Sequence, residues 1–337
     1  MKKWVFENGH YQLKEIDVPV LHDNEVEITV KAAGLNYADI KILRAQIAGH
    51  SLERGTRKAQ EAGSEVSGVV SRTGRDAFRF GIGERVFAVN HWGGAFAEKM
   101  IVPEYAIQRI PIGMSFTEAA GFGVAAQTAY NLLHIQGVKE LHHQNAVCLV
   151  HAAAGATGTA VVQMAKHFGF RVLALVGKAE KKAWFLEKLK LEPPEWCVVS
   201  GRAQKEDEIH QCAGDRGVSL VFDGNGGSEF SQNFRYLRLF GKVVLYGNSA
   251  GDIPPFNPYE LVFHSHQILG FSMRAATADP PWFESVYQSL FELYRKGNYQ
   301  PIMGKTFAFQ ELPAALKYIE SGESCGKITL STELKSS

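Results

Sequence analysis

The stretch Ala146-Val147-Cys148-Leu149-Val150-His151-Ala152-Ala153-Ala154-Gly155-Ala156-Thr157-Gly158 decides how the chain is read. A short apolar run ends in small residues, and a helix-like segment follows over residues 156–168. Small residues let the backbone turn tightly and approach a pyrophosphate, and Gly158 lets the helix lie close on the strand it follows. At such a helix start, free N–H groups and the helix dipole favour negative charge. A glycine turn between strand and helix often serves packing alone, so its surroundings carry the weight.

Those surroundings repeat one pattern. Arg171–Val176 and residues 196–199, Val218–Asp223, 241–247 and 266–271 read as further apolar strands. Helical stretches over 178–191, 206–212 and 230–240 lie between them. Strands alternating with helices imply βαβ units around a mostly parallel sheet. Such a sheet buries both faces, which explains strands that are apolar throughout. The fold class is therefore α/β, with a doubly wound parallel sheet of the Rossmann type. In that context the AxxGxxG spacing is a variant of the dinucleotide fingerprint, with Ala152 replacing its first glycine.

The first third differs. Residues 25–31 alternate polar and apolar, as a half-buried strand does, and 68–72 and 84–89 are further short strands. Gly63, Gly68, Gly74, Gly81, Gly83, Gly93 and Gly94 supply turns for a compact β-rich domain. After Pro280-Pro281 come an amphipathic helix (282–296), a strand (305–309), a helix (312–321) and a last strand (326–330). This tail is too short for a separate domain. The expected organisation is a β-rich domain over 1–122, a Rossmann domain over 123–270, and a return to the first domain over 271–337.

Composition narrows the function classes. The 337 residues are 45% hydrophobic and 21% charged, enough apolar material for large cores and too little charge for a disordered chain. Thirty-six Lys and Arg against 35 Asp and Glu give a formal net charge of +1, without the basic excess of a nucleic-acid binder. No run of about 18 apolar residues is present, and Glu7, Asn8 and His10 interrupt any signal-peptide core. Four separated cysteines form no CxxC and no disulfide framework. The expectation is a soluble cytoplasmic protein with neither a nucleic-acid nor a membrane partner.

The end of the second strand bears on the coenzyme. NAD-binding folds place Asp or Glu about 20 residues past the fingerprint, on the ribose 2′-hydroxyl. Here stand Val176-Gly177-Lys178-Ala179-Glu180-Lys181-Lys182. Lysines attract a 2′-phosphate that a carboxylate would repel, which favours NADPH. A solvated helix face carrying Lys178, Lys181 and Lys182 stays open, with Glu180 on a ribose hydroxyl.

Several separated motifs now line up. Gly34-Leu35-Asn36-Tyr37-Ala38-Asp39, Gly63-Ser64-Glu65-Val66-Ser67-Gly68-Val69, Gly93-Gly94-Ala95-Phe96-Ala97-Glu98, Gln127-Thr128-Ala129-Tyr130, Gly247-Asn248-Ser249-Ala250-Gly251 and Gly326-Lys327-Ile328 occur in that order. Together they resemble the medium-chain dehydrogenase/reductase superfamily, in its zinc-independent, zeta-crystallin-like quinone oxidoreductase group. The resemblance implies a GroES-like β-rich catalytic domain beside the Rossmann domain. It implies no metal, because zinc-bearing relatives place Cys where Asn36 stands and His where Ser64 stands.

The resemblance also assigns roles. Asn36 and Thr128 would meet the nicotinamide end of NADPH, in a cleft between the domains. Gly155, Ala156 and Thr157 would offer backbone to the pyrophosphate. Gly177, Lys178 and Lys181 would hold the 2′-phosphate, helped by Arg202. Asn225, Gly247, Asn248, Phe271 and Lys327 would complete the wall. Members often carry Tyr near Ser200 or Gly201, and this chain does not. Without a Lewis acid, the substrate must accept hydride readily, as a quinone or α,β-unsaturated carbonyl does. Tyr37, with Asn36, is the catalytic candidate: its hydroxyl would hold a developing enolate or hydroquinone oxygen, against a packing role as an aromatic wall. The leading expectation is an NADPH-dependent quinone or enone reductase. The alternatives are an enoyl-thioester reductase and a non-catalytic, crystallin-like NADPH-binding protein. A homodimer joined through the last Rossmann strand, residues 268–271, is expected, since an unpaired apolar strand invites pairing.

Overall fold

The computed structural model describes residues 1–7, 9–47, 61–135, 137–142, 144–190, 196–200, 205–273 and 280–334. The chain opens with β1 (Lys2–Glu7), β2 (His10–Glu15), β3 (Glu25–Leu35), α1 (Tyr37–Ile47), β4 (Glu65–Thr73), β5 (Arg85–Val89), β6 (Lys99–Pro103) and β7 (Ile107–Arg109). The long helix α2 (Phe116–His134) leads to β8 (Val147–Val150), α3 (Ala156–His167), β9 (Arg171–Val176), α4 (Ala179–Leu189), β10 (Trp196–Ser200), α5 (Lys205–Ala213) and β11 (Val218–Asp223). Then follow α6 (Asn233–Tyr236), β12 (Leu237–Leu245), α7 (Tyr259–His264), β13 (Gln267–Gly270) and α8 (Pro280–Arg295). The chain closes with β14 (Met303–Ala308), α9 (Leu312–Glu320) and β15 (Lys327–Ser331).

Two compact units result. The first comprises Met1–Val124 and Met303–Ser337, the second Ala125–Ile302. The chain re-enters the first unit at Met303, later than the Phe271 expected from sequence, because α8 belongs to the second unit. Its buried face (Phe283, Val286, Tyr287, Leu290) is the amphipathic stripe seen in the sequence.

The first unit is built on a sheet ordered β14-β15-β3-β4-β5-β7, with β6 also pairing β3. Strand β3 is the spine. Its alternation buries Val26, Ile28 and Val30; it pairs with β4 through register shifts beside Glu27 and Val30, and with β6 and β15 without them. Helix α2 has no counterpart in the sequence reading. It starts at a capping box, in which Ser115 Oγ accepts from Glu118 N (3.2 Å) and Glu118 Oε2 accepts from Ser115 N (2.8 Å). Its first half lies close on the sheet: a side chain at Gly123 would put Cβ 2.5 Å from Val89 Cγ2.

The second unit holds six parallel strands ordered β10-β9-β8-β11-β12-β13. The chain runs outward from β8 to β10, then from β11 to β13 on the other side. The order therefore reverses between β8 and β11, and every strand's carboxyl end lies on one edge. One sequence expectation needs correction. Residues 230–240 are not one helix: α6 stops at Tyr236, and Leu237 pairs with Val218 as the start of β12. Phe240 sits at φ 62°, a conformation that ends any helix, and Leu239 and Phe240 point to solvent instead of into a core.

Candidate functional site

In the second unit, the turn after β8 sits beside the point where strand order reverses. Ala152 adopts φ 49°, and Gly155 N donates to Ala152 O (2.9 Å), closing the turn. Gly155 is then the N-cap of α3, with no side chain capping the helix. The first-turn amides of Ala156 and Thr157 thus have no partner within the helix, as an anion site requires. Gly158 is buried so closely that a Cβ there would fall 2.7 Å from Ala153 Cα and closer still to Ala152 O. It is needed for helix-on-turn packing, whereas Gly177, at the end of β9, has no atom within 4 Å of a built Cβ and borders open space. Exposed Lys178 is the N-cap of α4, and Lys181 stands in its first turn.

The loops after β11 and β12 are laced together on the same edge. Asp223 Oδ1 accepts from the amides of Asn225 (2.7 Å) and Gly226 (3.0 Å), and its Oδ2 accepts from Asn233 Nδ2 (2.8 Å). His151 Nε2 meets Asn233 Oδ1 at 2.7 Å, so a buried Asp223–Asn233–His151 chain ties the end of β8 to β11. Ala250 N donates to Asn225 O (2.8 Å), and Phe271 N to Leu245 O (3.0 Å). Asn248 Oδ1 is buried with no partner, an unmet acceptor on the rim of this edge. The structure therefore gathers Gly155, Ala156, Thr157, Gly177, Lys178, Lys181, Asn225, Gly247, Asn248 and Phe271 at the carboxyl ends of one sheet. Thr128 is buried in α2. Arg202 lies outside the described residues.

The residues fit a dinucleotide on three counts. Two first-turn amides are uncapped, glycine leaves room by the second strand, and a buried acceptor is unmet.

The first unit carries a different arrangement. Asn36, at the junction of β3 and α1, donates from Nδ2 to Glu65 Oε1 (2.9 Å) and Ser64 Oγ (3.3 Å). Lys327 Nζ donates to Asn36 Oδ1 (2.9 Å) and pairs with Glu65 Oε1. Glu65 Oε2 accepts from Val124 N (2.8 Å). Both members of the ion pair are 1% exposed. Asp39 braces this loop by accepting from Asn36 N (2.8 Å) and Gly63 N (2.7 Å). Burial pushes its carboxyl up to about 6, although its two amide donors and Lys327 pull the other way. Burial, with Asp39 and Glu61 nearby, also raises the Tyr11 phenol.

Tyr37 stands apart from this network. Its ring packs on the first unit's core, and Arg44, which also holds Glu320 (2.9 Å), takes its hydroxyl. Sequence reasoning named Asn36 and Lys327 separately and missed what joins them. Glu65 entered only as part of the Gly63–Val69 motif, and no spacing rule links residues 36, 65 and 327. Among the described residues, no group of three or more His, Cys, Asp or Glu side chains is placed to hold a metal ion. Nor is any described helix long and apolar enough to cross a membrane.

Known proteins align with both units. Residues 22–112 match the family model for an alcohol dehydrogenase GroES-like domain, and residues 156–292 that for a zinc-binding dehydrogenase. The chain is 32% identical over 321 residues to a reducing polyketide synthase of Floropilus chiversii, covering 92% of this chain and 12% of that protein. It thus spans a small part of the curated relatives it matches. The quinone oxidoreductase of Thermus thermophilus, solved alone and with NADPH, is 30% identical, with 98% of this chain and 100% of that one covered and a TM-score of 0.78. The CurK enoyl reductase shares the fold at 22% identity, covering 98% of each chain, with a TM-score of 0.83.

Proposed function

The chain belongs to the medium-chain dehydrogenase/reductase superfamily, and from that premise we propose that it is an NADPH-dependent reductase of α,β-unsaturated thioesters that works without zinc. The observation that carries the chemistry is the Asn36–Glu65–Lys327 network. Where zinc-bearing relatives have Cys and His, this chain offers an amide and a hydroxyl, and the adjoining carboxylate is already paired with a buried ammonium. Zinc takes thiolate, imidazole or free carboxylate, so this donor set suits it poorly.

When bound, NADPH supplies a hydride; the protein supplies grip and orientation. The amides of Ala156 and Thr157 hold the pyrophosphate, Lys178 and Lys181 the 2′-phosphate, and the Asn225 and Asn248 loops line the coenzyme. The match to a region of reducing polyketide synthases supports the thioester reading. Quinone reduction is the second reading. It rests on 30% identity along the whole of the Thermus thermophilus quinone oxidoreductase.

Steady-state NADPH oxidation with a crotonyl thioester, an enone and a quinone separates the readings. The thioester should turn over with the highest kcat/KM. A quinone preference transfers the chain to the second reading, and no turnover with any of the three rejects both in favour of a non-catalytic nucleotide-binding protein. Lys181→Ala should lower the NADPH-over-NADH preference about tenfold, the scale of one charge-assisted hydrogen bond. An unchanged ratio removes Lys181 from the phosphate site.

A second copy of the chain is the proposed partner. Among the described residues β13 is one edge of the sheet, and Leu239, Phe240, Tyr259, Val262 and Phe263, in β12 and α7, are exposed, Phe263 by 81%. Such a patch by an unpaired edge suits strand-to-strand dimerisation. Sedimentation at micromolar concentration should give twice the monomer mass, and a monomer would remove the dimer.

A further inference from the structure

Ser64 sits at the outer end of a hydrogen-bond chain that begins on a buried cation. Lys327 Nζ donates to Asn36 Oδ1 (2.9 Å), which fixes the amide's orientation. A flipped amide would turn its N–H groups on the ammonium and its oxygen on Glu65. Asn36 therefore commits both Nδ2 hydrogens inward, one to Glu65 Oε1 (2.9 Å) and one to Ser64 Oγ (3.3 Å). It has no N–H left for a ligand, only an acceptor lone pair. Such an atom suits a donor such as a carboxamide N–H and cannot stabilise a substrate oxyanion.

Ser64 is in the opposite position. Its oxygen accepts from Asn36, its backbone carbonyl accepts from Asn90 N (2.7 Å), and the residue is partly exposed. A hydroxyl that accepts one hydrogen bond still has its own proton to give. Donation from the ammonium through the amide polarises the serine O–H in the donor sense, since chained hydrogen bonds strengthen one another in a low-dielectric interior.

We propose that the Ser64 hydroxyl donates the hydrogen bond that holds the substrate's carbonyl oxygen, with Asn36 and Lys327 as the residues that position and polarise it. The proposal rests on the reductase reading above. As hydride adds to the β-carbon of an enone or enoyl thioester, the C=C electron pair moves to form the enolate and its charge gathers on the carbonyl oxygen. Ser64 stabilises that oxygen without giving up its proton. Solvent then protonates the α-carbon, so one proton has been added together with one hydride, which bound NADPH would supply and be oxidised in giving.

The test compares wild type, Ser64→Ala and Ser64→Thr. Loss of a single oxyanion donor lowers kcat by about 100-fold or more, which is the fall expected for Ser64→Ala with an enone. Ser64→Thr should retain most of the rate. NADPH affinity by fluorescence titration should not change in Ser64→Ala, and the urea midpoint should fall no further than the loss of one hydrogen bond allows. A readout independent of turnover is the carbonyl stretch of cyclohexanone bound to the protein with NADP⁺. It should move to lower frequency in wild type and return toward the free value in Ser64→Ala. If wild type reduces the enone and Ser64→Ala keeps its rate and its carbonyl shift, the serine is overturned and the reductase reading stands. If wild type itself reduces none of the three substrates, the reductase reading fails and this role with it. Parallel loss of NADPH affinity in Ser64→Ala would reassign the hydroxyl to the coenzyme and overturn the proposal.

Discussion

The two units present their candidate sites in opposite ways. The second offers backbone: uncapped amides, a glycine by open space and loops laced by main-chain hydrogen bonds. The first offers a closed set of charged and polar side chains, in which Glu65 and Lys327 are almost wholly buried and satisfy each other. A backbone site waits for a ligand to meet its amides. A buried ion pair is already met, and taking away one half exposes the other to the full cost of an unpaired charge.

That contrast breaks first at Lys327. Lys327→Met should cost about 3–5 kcal/mol in urea unfolding, because the Glu65 carboxylate is left buried without a counter-charge. The double variant Lys327→Met with Glu65→Gln should recover most of the loss. A single substitution costing under about 1 kcal/mol would show that water reaches Glu65 and that the first site is not closed.

Asp39 sharpens the same point through pH. Its folded carboxyl stands at about 6 and its ordinary value is 3.8, because burial disfavours the charge. Between those values the folded protein holds a proton that the unfolded chain has released. Stability from this group is therefore full below about pH 4 and falls as pH rises to about 6, by about 3 kcal/mol in all. Subtracting the pH dependence of Asp39→Asn from that of wild type isolates this slope. A difference of the opposite sign would mean that the two amide donors and Lys327 outweigh burial.

In the second unit the largest effect should come from Gly158. An alanine there drives Cβ into the Ala152 carbonyl and the Ala153 backbone, which cannot rotate away as a side chain would. Gly158→Ala should cost about 1–3 kcal/mol, as overpacking does, and should weaken NADPH binding because the turn shifts. Gly177→Ala, with nothing near its Cβ, is the control and should leave stability almost unchanged. Equal losses at the two glycines would erase the distinction between packing and access.

These differences also explain what could be read from the chain beforehand. The parallel sheet was legible because both its faces are buried, so apolar runs such as Val218–Asp223 mark strands within a residue or two. The phosphate turn was legible because backbone approach demands small residues at fixed spacing. Residues 230–240 misled because Leu237, Leu239 and Phe240 look like a helix's apolar stripe, and only pairing with β11 makes them strand. The first site was half legible. Asn36 and Lys327 came through resemblance to a family, but the partnership of residues 36, 65 and 327 arises from β3 pairing both β4 and β15, which no local pattern announces.

The smallest expected effect lies where the turn departs from its glycine pattern. Ala152 stands in place of the first glycine, at φ 49°, where the methyl group crowds the backbone. For an L-residue this conformation costs about 1–2 kcal/mol, and glycine adopts it without that cost. Glycine also gains freedom in the unfolded chain, which returns about 0.4–1 kcal/mol of the benefit. Ala152→Gly should therefore stabilise the protein by between nothing and about 1.6 kcal/mol, read as a rise in the urea midpoint at constant slope. It should leave NADPH affinity within about twofold, because the amides that meet the pyrophosphate belong to Ala156 and Thr157. If the variant is instead destabilised, the methyl group of Ala152 contributes packing that outweighs its strain. The alanine would then be a feature of how this turn is held, and the second site would depend on side-chain contact as the first does.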